Sequence, residues 1–477
     1  MSHAFILSLS DGFEVTSDTP ERIVFRDPKK GSVPYRIAPA LQPIIEKLNG
    51  QGEHEDRLVE LLAQEPEGVL AEFYFLLDLL DRQSLLCRTV VSGNVRLATL
   101  KRFSPQTRPR RALTATHCYA LSRFTYTRRV GERIVLETPL AHGRIVLHED
   151  RAAAFVHTLA RRGRIEELAA RAGFAVEETR AFLELLLMAE MLTMMSEDGV
   201  SADEDGPGPL QFWEFHDLLF HARSRHGRHF GSYGGSYRFA GRTNAPLALE
   251  RRRGGDTINL FRPDLTVIED HDPSFTTVQN NRRSFHEFGN PPIDSRSLGE
   301  FLFRVGRVTK LESDSRVIRD GHEIPLDFAF RPYPGGGALY ELEFYVTIHA
   351  CLGLPRGLYH YEPCQHCLER LPAAEEHLKT LLAAAAASTG APREHLQTLI
   401  TLAARYPRIA WKYSSISYAT ILKDVGVVYQ TMYLVATAMG LAPCAVGGGD
   451  SDCFAKAAGT DYYAETAVGE FLLGSRP

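Results

Sequence analysis

Tyr333-Pro334-Gly335-Gly336-Gly337-Ala338 opens directly onto the apolar run Leu339 to Ile348. Three consecutive glycines let backbone approach a flat ligand closely, because no Cβ intervenes. The plainer reading is a flexible loop. The apolar run that follows makes this loop the entry to a buried element.

Three further segments lie outward from it. Upstream, Asn281-Arg282-Arg283-Ser284 precedes a turn at Asn290 to Pro292, after which Leu298, Phe301 and Leu302 recur at helical spacing. Guanidinium groups bond phosphate bidentately and a hydroxyl adds one more bond, although adjacent arginines are usually surface charge. Downstream, Ala383 to Ala387 reads as the end of a helix before the turn at Gly390. Val425 to Ala445 then reads as a long helical pattern ending at Gly440 and Pro443, followed by Gly447-Gly448-Gly449. The tail Gly474-Ser475-Arg476 comes directly after the strand-like Glu470 to Leu473. A terminal Arg normally frays, but one that follows an apolar strand can be held.

The chain has 477 residues, room for two to four domains. Apolar residues make up 44% and charged residues 24%, a globular balance. A formal charge of −5 argues against the whole chain binding a polyanion. The basic clusters Arg108, Arg110, Arg111 and Arg251, Arg252, Arg253 read as solvated loop charge. No stretch approaches the roughly 20 apolar residues that span a bilayer. Met1 to Glu14 lacks the basic and apolar regions of a signal peptide. Seven cysteines without framework spacing fit a reducing compartment, so the expectation is a cytoplasmic protein without membrane contact. Cys364-Gln365-His366-Cys367 with His360 nearby is a lone CxxC on a hairpin from Tyr359 to Leu371. A structural zinc needs four ligands, so no metal is expected.

The first part of the chain repeats itself. Ile23 to Phe25 is strand-like, and helical stripes follow at Leu41, Ile44, Ile45 and Leu48, at Leu58, Leu61 and Leu62, and at Leu70 to Leu80. Leu85 to Val91 is again a strand. The pattern returns, at an offset of about 106–111 residues, as Ile134–Glu137 and Ile145–Leu147, then stripes at Phe155 to Leu159, at Leu168, and at Phe182 to Leu187. Three short helices with flanking strands is a winged-helix pattern. The expected domains are module 1 (residues 1–104), module 2 (105–195), an acidic Gly- and Pro-containing linker (196–209) and a larger domain (210–477). Winged helices bind DNA, but the helices here carry Glu46, Glu60, Glu72, Asp78, Asp81, Glu166, Glu167, Glu177 and Glu178. A recognition helix wants cations facing phosphates. No nucleic-acid partner is expected.

From about Trp213 onward the chain resembles the nitroreductase superfamily of flavoenzymes. Within it, the chain is most similar to the SagB-type azoline dehydrogenases and, among those, to the cyanobactin oxidases (ThcOx-like). The phrases that carry this are Trp213-Glu214-Phe215-His216, Arg331-Pro332-Tyr333-Pro334, Gly357-Leu358-Tyr359-His360-Tyr361, Trp411-Lys412-Tyr413 and Val428-Tyr429-Gln430-Thr431-Met432-Tyr433. The resemblance implies an α+β fold with a mainly antiparallel sheet between helices, FMN as cofactor, and a homodimer with FMN at its interface. It implies that Arg282, Arg283 and Ser284 hold the phosphate and ribityl chain, with His286 as a pH-dependent neighbour and Arg476 closing on the phosphate. Pro334, Gly335 and Gly336, supplied across the dimer, would lie along the flavin, where many relatives carry Ser at the place of Gly335. Gly448 and Gly449 would face the flavin from the other side.

Lys412 and Tyr413 match the Lys-Tyr pair of azoline dehydrogenases. Aromatising a thiazoline or oxazoline removes one proton and one hydride. A Lys with a lowered pKa, or a Tyr assisted by it, takes such a proton near neutral pH. The plainer reading is a surface Lys beside a packed Tyr. The tandem modules are similar to RiPP recognition elements, which grip leader peptides by strand addition. The expected function is FMN-dependent oxidation of azolines in a heterocyclised ribosomal peptide, with dioxygen as reoxidant and possible cyclodehydratase association. The alternatives are an NAD(P)H-fed reductase of small aromatics and a non-catalytic peptide-binding scaffold. A third view makes the modules a structural wall.

Overall fold

The computed structural model describes all residues except 1–4, 12–13, 20, 28–30, 104–111, 196–203, 228–230, 250–254, 319–320 and 322. Both basic clusters and most of the expected linker lie outside the described residues. The chain forms two compact units, Met1–Gly231 and Ser232–Pro477. The first unit therefore takes in residues 210–231, which the sequence pattern groups with the larger domain.

In the first unit the order strand, three strands, three helices, strand occurs twice. The first round is Phe5–Leu9, then Glu14–Thr19, Arg22–Asp27 and Gly31–Arg36, then helices Gln42–Asn49, Glu55–Glu60 and Glu67–Arg82, then Leu86–Ser92. The second is Cys118–Leu121, then Tyr126–Val130, Arg133–Glu137 and Gly143–Leu147, then helices Asp150–Thr158, Ile165–Ala172 and Val176–Met188, then Leu192–Met195. In each round the opening strand pairs antiparallel with the closing one. The rounds are not separate bodies. Val95–Arg102 pairs with Gly143–Leu147, placing Leu100 opposite Ile145 in one seven-stranded sheet. A single apolar core takes Leu7, Ile44 and Phe73 from the first round and Tyr119, Phe155 and Phe182 from the second.

The second unit is α+β, built on a seven-stranded sheet. Its order is Thr257–Asn259, Cys367–Leu371, Gly357–Glu362, Leu342–Ile348, Thr398–Arg405, Glu465–Ser475 and Leu441–Val446. Every neighbouring pair is antiparallel. Side chains alternate across a strand, and here both faces are covered. Phe344, Val346 and Ile348 join a core with Leu298, Phe301 and Leu302 of helix Ser295–Gly306 and Ile421, Val428 and Met432 of helix Ser417–Ala438. Tyr345 enters the opposite core with Leu378, Leu381 and Leu382 of helix Glu375–Thr389 and Phe454 of helix Ser451–Ala458. That double cover explains why Leu342–Ile348 is buried at every position.

One expected element is divided. The Val425 to Ala445 pattern is a helix only to Ala438. Gly440 turns the chain at φ 69°, and Leu441–Val446 runs back as the last strand of the sheet. An edge strand tolerates Pro443, whose missing N–H breaks no interior ladder. Among the described residues no helix is long and apolar enough to cross a membrane.

Candidate functional site

Ser274 caps helix Phe275–Asn281 by accepting the Thr277 amide, and the helix ends at Arg282. The next residues are fixed from outside: Phe285 N–H donates to the Pro443 carbonyl at 2.9 Å. The Ser284 and Tyr433 hydroxyls are 2.7 Å apart, and the Tyr433 hydroxyl accepts the Ala445 amide at 2.8 Å. His286 Nδ1 lies 2.7 Å from the Thr389 carbonyl. A carbonyl only accepts, so Nδ1 carries the proton and Nε2 is left for a ligand.

Arg283, Ser284, Phe285, His286, Glu287, Arg476 and Pro477 line an open surface cavity of about 370 Å³. The Arg283 and Arg476 guanidiniums lie over the Phe285 ring at 4.6 and 5.6 Å. The tail is held. Gly289 N–H donates to the Ser475 carbonyl, Ser475 N–H to Gln397 Oε1, and Ser475 Oγ to the Pro291 carbonyl. A Cβ on Gly289 would stand 1.9 Å from the Arg476 carbonyl oxygen, so only glycine fits there. Two guanidiniums, a hydroxyl and an imidazole suit a phosphate group. Of the two adjacent arginines, Arg283 lines the cavity, while Arg282 sits over the Tyr433 ring at 5.3 Å.

Gly448 and Gly449 are exposed beyond the edge strand. Ser388 Oγ donates to the Gly448 carbonyl at 3.4 Å. A Cβ on Gly449 would stand 2.2 Å from Glu470 Oε1, so this loop lies flat on a buried carboxyl. Burial pushes the Glu470 pKa up to about 7.

Lys412 and Tyr413 follow the short helix Tyr406–Ala410. Trp411 anchors them by packing with Ile324, Leu326 and Phe328 and donating Nε1–H to the Thr243 carbonyl at 3.1 Å. Both side chains converge on Gly337. Lys412 Nζ donates to the Gly337 carbonyl at 3.3 Å. A Cβ on Gly337 would stand 2.3 Å from the Tyr413 hydroxyl and 2.6 Å from Lys412 Nζ. Gly337 also has φ 64°, in the left-handed region. Burial lowers the Lys412 pKa, and Arg316 and Arg408 lower it further; burial raises that of Tyr413. Gly335 packs on the Tyr340 ring, Gly336 N–H donates to Asp424 Oδ2 at 2.8 Å, and Pro334 is exposed.

Cys364 is exposed and Cys367 buried, and His366 bonds the Tyr361 hydroxyl and the Phe261 carbonyl. His360 lies between Glu343 and Glu369, 3.2 Å from each.

Sequence reasoning missed Asp424, Glu341 and Glu470. Their one sequence signal is an acid set inside an apolar run. Glu341 interrupts Leu339 to Ile348, and Glu470 precedes Phe471 to Leu473.

Two family profiles match the chain: "Cyanobactin oxidase ThcOx" over residues 119–230 and "Nitroreductase family" over residues 280–474. An inferred nitroreductase of Methanocaldococcus jannaschii is 31% identical over 193 residues, covering 40% of this chain and 85% of the relative. Two solved structures are more distant. An inferred nitroreductase of Ralstonia eutropha has 19% identity, TM-score 0.35, and covers 49% of this chain and 97% of its own. The E. coli microcin synthetase McbBCD complex with truncated pro-MccB17 has 20% identity, TM-score 0.34, and covers 54% of this chain and 91% of its own. The identity to the archaeal relative and the profile match over the second unit make this chain a member of the nitroreductase family, and a stretch ahead of that match is similar to the cyanobactin-oxidase profile.

Proposed function

We propose that this chain is an FMN-dependent oxidase that aromatises thiazoline or oxazoline rings in a heterocyclised ribosomal peptide. The observation that carries the reading is the convergence of Lys412 and Tyr413 on Gly337. An amine with a lowered pKa and a phenol, meeting at a glycine without a side chain, leave a ring proton accessible to both.

Arg283, Ser284 and Arg476 hold the FMN phosphate, and His286 offers Nε2 as a further donor when protonated. Bound FMN supplies the acceptor for the hydride that leaves the ring. Lys412, whose pKa burial lowers, takes the ring proton, with Tyr413 passing or orienting it. Dioxygen is the terminal electron acceptor. The active form is a homodimer in which Pro334, Gly335 and Gly336 of one copy lie along the FMN held by the other. The repeated helix–strand sets of the first unit are winged-helix peptide-binding modules, and a cyclodehydratase is the natural supplier of substrate. The cyanobactin-oxidase match supports a peptide as substrate.

The test is mass spectrometry of a thiazoline peptide after incubation with the FMN-loaded protein, since each ring oxidised loses two hydrogens. Lys412→Ala and Tyr413→Phe are expected to retain FMN and lose oxidation by about 10²–10⁴-fold. If both variants bind FMN and oxidise thiazoline at the parent rate, the proposal fails.

A further inference from the structure

Glu341 stands at the head of the central strand and is fully buried. Among the described residues neither of its carboxyl oxygens has a well-aligned hydrogen-bond partner. The groups that act on it are its own backbone amide, Arg405 and, most strongly, another carboxyl, that of Asp424 on helix Ser417–Ala438. Two ionised carboxylates repel, so this contact requires a proton between them. The Asp424 carboxylate also accepts the Gly336 amide at 2.8 Å.

The loop tied down by that amide is strained. Gly337, Ala338 and Tyr340 have φ 64°, 57° and 47°. The last two carry side chains that disfavour this region, and such residues persist only where their surroundings hold them. Gly337 in turn receives Lys412 and Tyr413. An unbroken path therefore runs from Glu341 through Asp424, the Gly336 amide and the Gly337 carbonyl to Lys412.

We propose that Glu341 and Asp424 share one proton as a latch, which holds the strained Gly336–Tyr340 loop and so positions Lys412 and Tyr413. The inference rests on reading Lys412 and Tyr413 as the proton-handling pair. Glu341 and Asp424 are positioning residues, acting through the loop. Burial and then Asp424 push the Glu341 pKa up to about 8, so the shared proton is present at neutral pH. The other charged or titratable groups around the pair are Arg405, Arg408, Lys423, Tyr333, Tyr340 and Tyr413.

Two measurements on the full-length protein test this without any azoline, so the latch and the azoline reading can fail independently. The first is the unfolding midpoint against pH. The folded Glu341 keeps its proton to about pH 8, whereas an unfolded Glu ionises near 4.3. The parent should lose stability across that window. Glu341→Gln should gain on the parent by about 5 °C or more between pH 5 and 9. Asp424→Asn removes the like charge and should reduce the parent's slope. Parallel curves for all three proteins overturn the shared proton.

The second is acetylation of individual lysines at fixed pH, read by mass spectrometry. Glu341→Ala should expose Lys412 and raise its rate severalfold. Glu341→Gln still donates to Asp424 and should stay at the parent rate. Lys379 and Lys456, in the same unit, report general loosening and should not change. If Lys412 is unchanged in Glu341→Ala, or if all three lysines rise together, the latch does not position Lys412.

Discussion

Asp424 and Tyr433 leave opposite flanks of one helix. Both lie on Ser417–Ala438, nine residues apart, which at about 100° per residue is half a turn beyond two full turns. Asp424 binds the amide of the glycine loop, and the Tyr433 hydroxyl bonds Ser284 beside the cavity lined by Arg283 and Arg476. Between them run Ile421, Val428 and Met432, each with no exposed surface. Burying such a side chain is worth about 1.5–3 kcal/mol, so the helix is a rigid partition. In the proposed homodimer with composite sites, a ligand would touch one flank of each copy.

Composite sites make a quantitative prediction by subunit mixing. Lys412→Ala spoils the Gly337 side, and Arg283→Ala with Arg476→Ala spoils the phosphate side. Each variant alone should be inactive. Random re-pairing of equal amounts gives half heterodimers, each with one intact site. Activity should therefore return to about a quarter of the parent. No recovery after verified subunit exchange would mean that each chain builds its own site.

Gly289→Ala should weaken FMN binding without touching a ligand contact. The added methyl meets the Arg476 carbonyl, so the tail must move and take the guanidinium with it. A hydrogen bond to a charged group is worth about 1.5–3 kcal/mol, hence a rise in Kd of about 10- to 100-fold. Titration of FMN into the stripped protein measures it. An unchanged Kd would show that Arg476 is not held at the phosphate.

Both halves of the candidate site are legible in the amino-acid sequence. Arg282, Arg283, Ser284, His286 and Arg476 stand out there, and all but Arg282 line one cavity. Lys412, Tyr413 and the glycine loop stand out separately and meet at Gly337. The repeat is legible because three amphipathic helices keep their spacing in both copies. Which strands join is not legible. Val95–Arg102 against Gly143–Leu147 is a long-range pairing with no local signal. The helix-to-strand change at Gly440 is hidden because an apolar run with one glycine reads as helix until its partner strand is known. Asp424 and Glu341 sit in apolar runs of different elements, and only the fold brings them together.

Glu343 tests the sheet's charge network. Its carboxyl lies 3.0 Å from Arg405 Nε, an ion pair off-line for a hydrogen bond, and 3.2 Å from His360. Burial pushes its pKa up, but Arg405 and His360 outweigh that and hold it at about 2. Its folded pKa is thus depressed. The stability it supplies is present above the unfolded value and is lost as pH falls toward 2. Glu343→Gln removes the carboxylate that Arg405 and His360 share and should cost about 3–5 kcal/mol at pH 7. Chemical denaturation of both proteins at pH 7 reads this directly, and equal midpoints would count against it.

Glu470 should show the opposite sign. It is buried beneath Gly449, and burial alone raises its pKa to about 7. Below the unfolded value near 4.3 the carboxyl is neutral in both states and costs nothing. As pH rises, the unfolded chain ionises first, and the folded state falls behind until about pH 7. One pKa unit is 1.36 kcal/mol, so the penalty approaches roughly 3.7 kcal/mol once both states are ionised. Glu470→Gln keeps the volume and removes the ionisation. Its unfolding midpoint should match the parent near pH 4.5 and exceed it progressively up to pH 8. Bound FMN should enlarge the gap, because an anionic ligand beside the 447–449 loop adds repulsion to the ionised carboxyl. A pH-independent difference between the two proteins would show that Glu470 is ionised throughout and that a partner, not burial, sets its state.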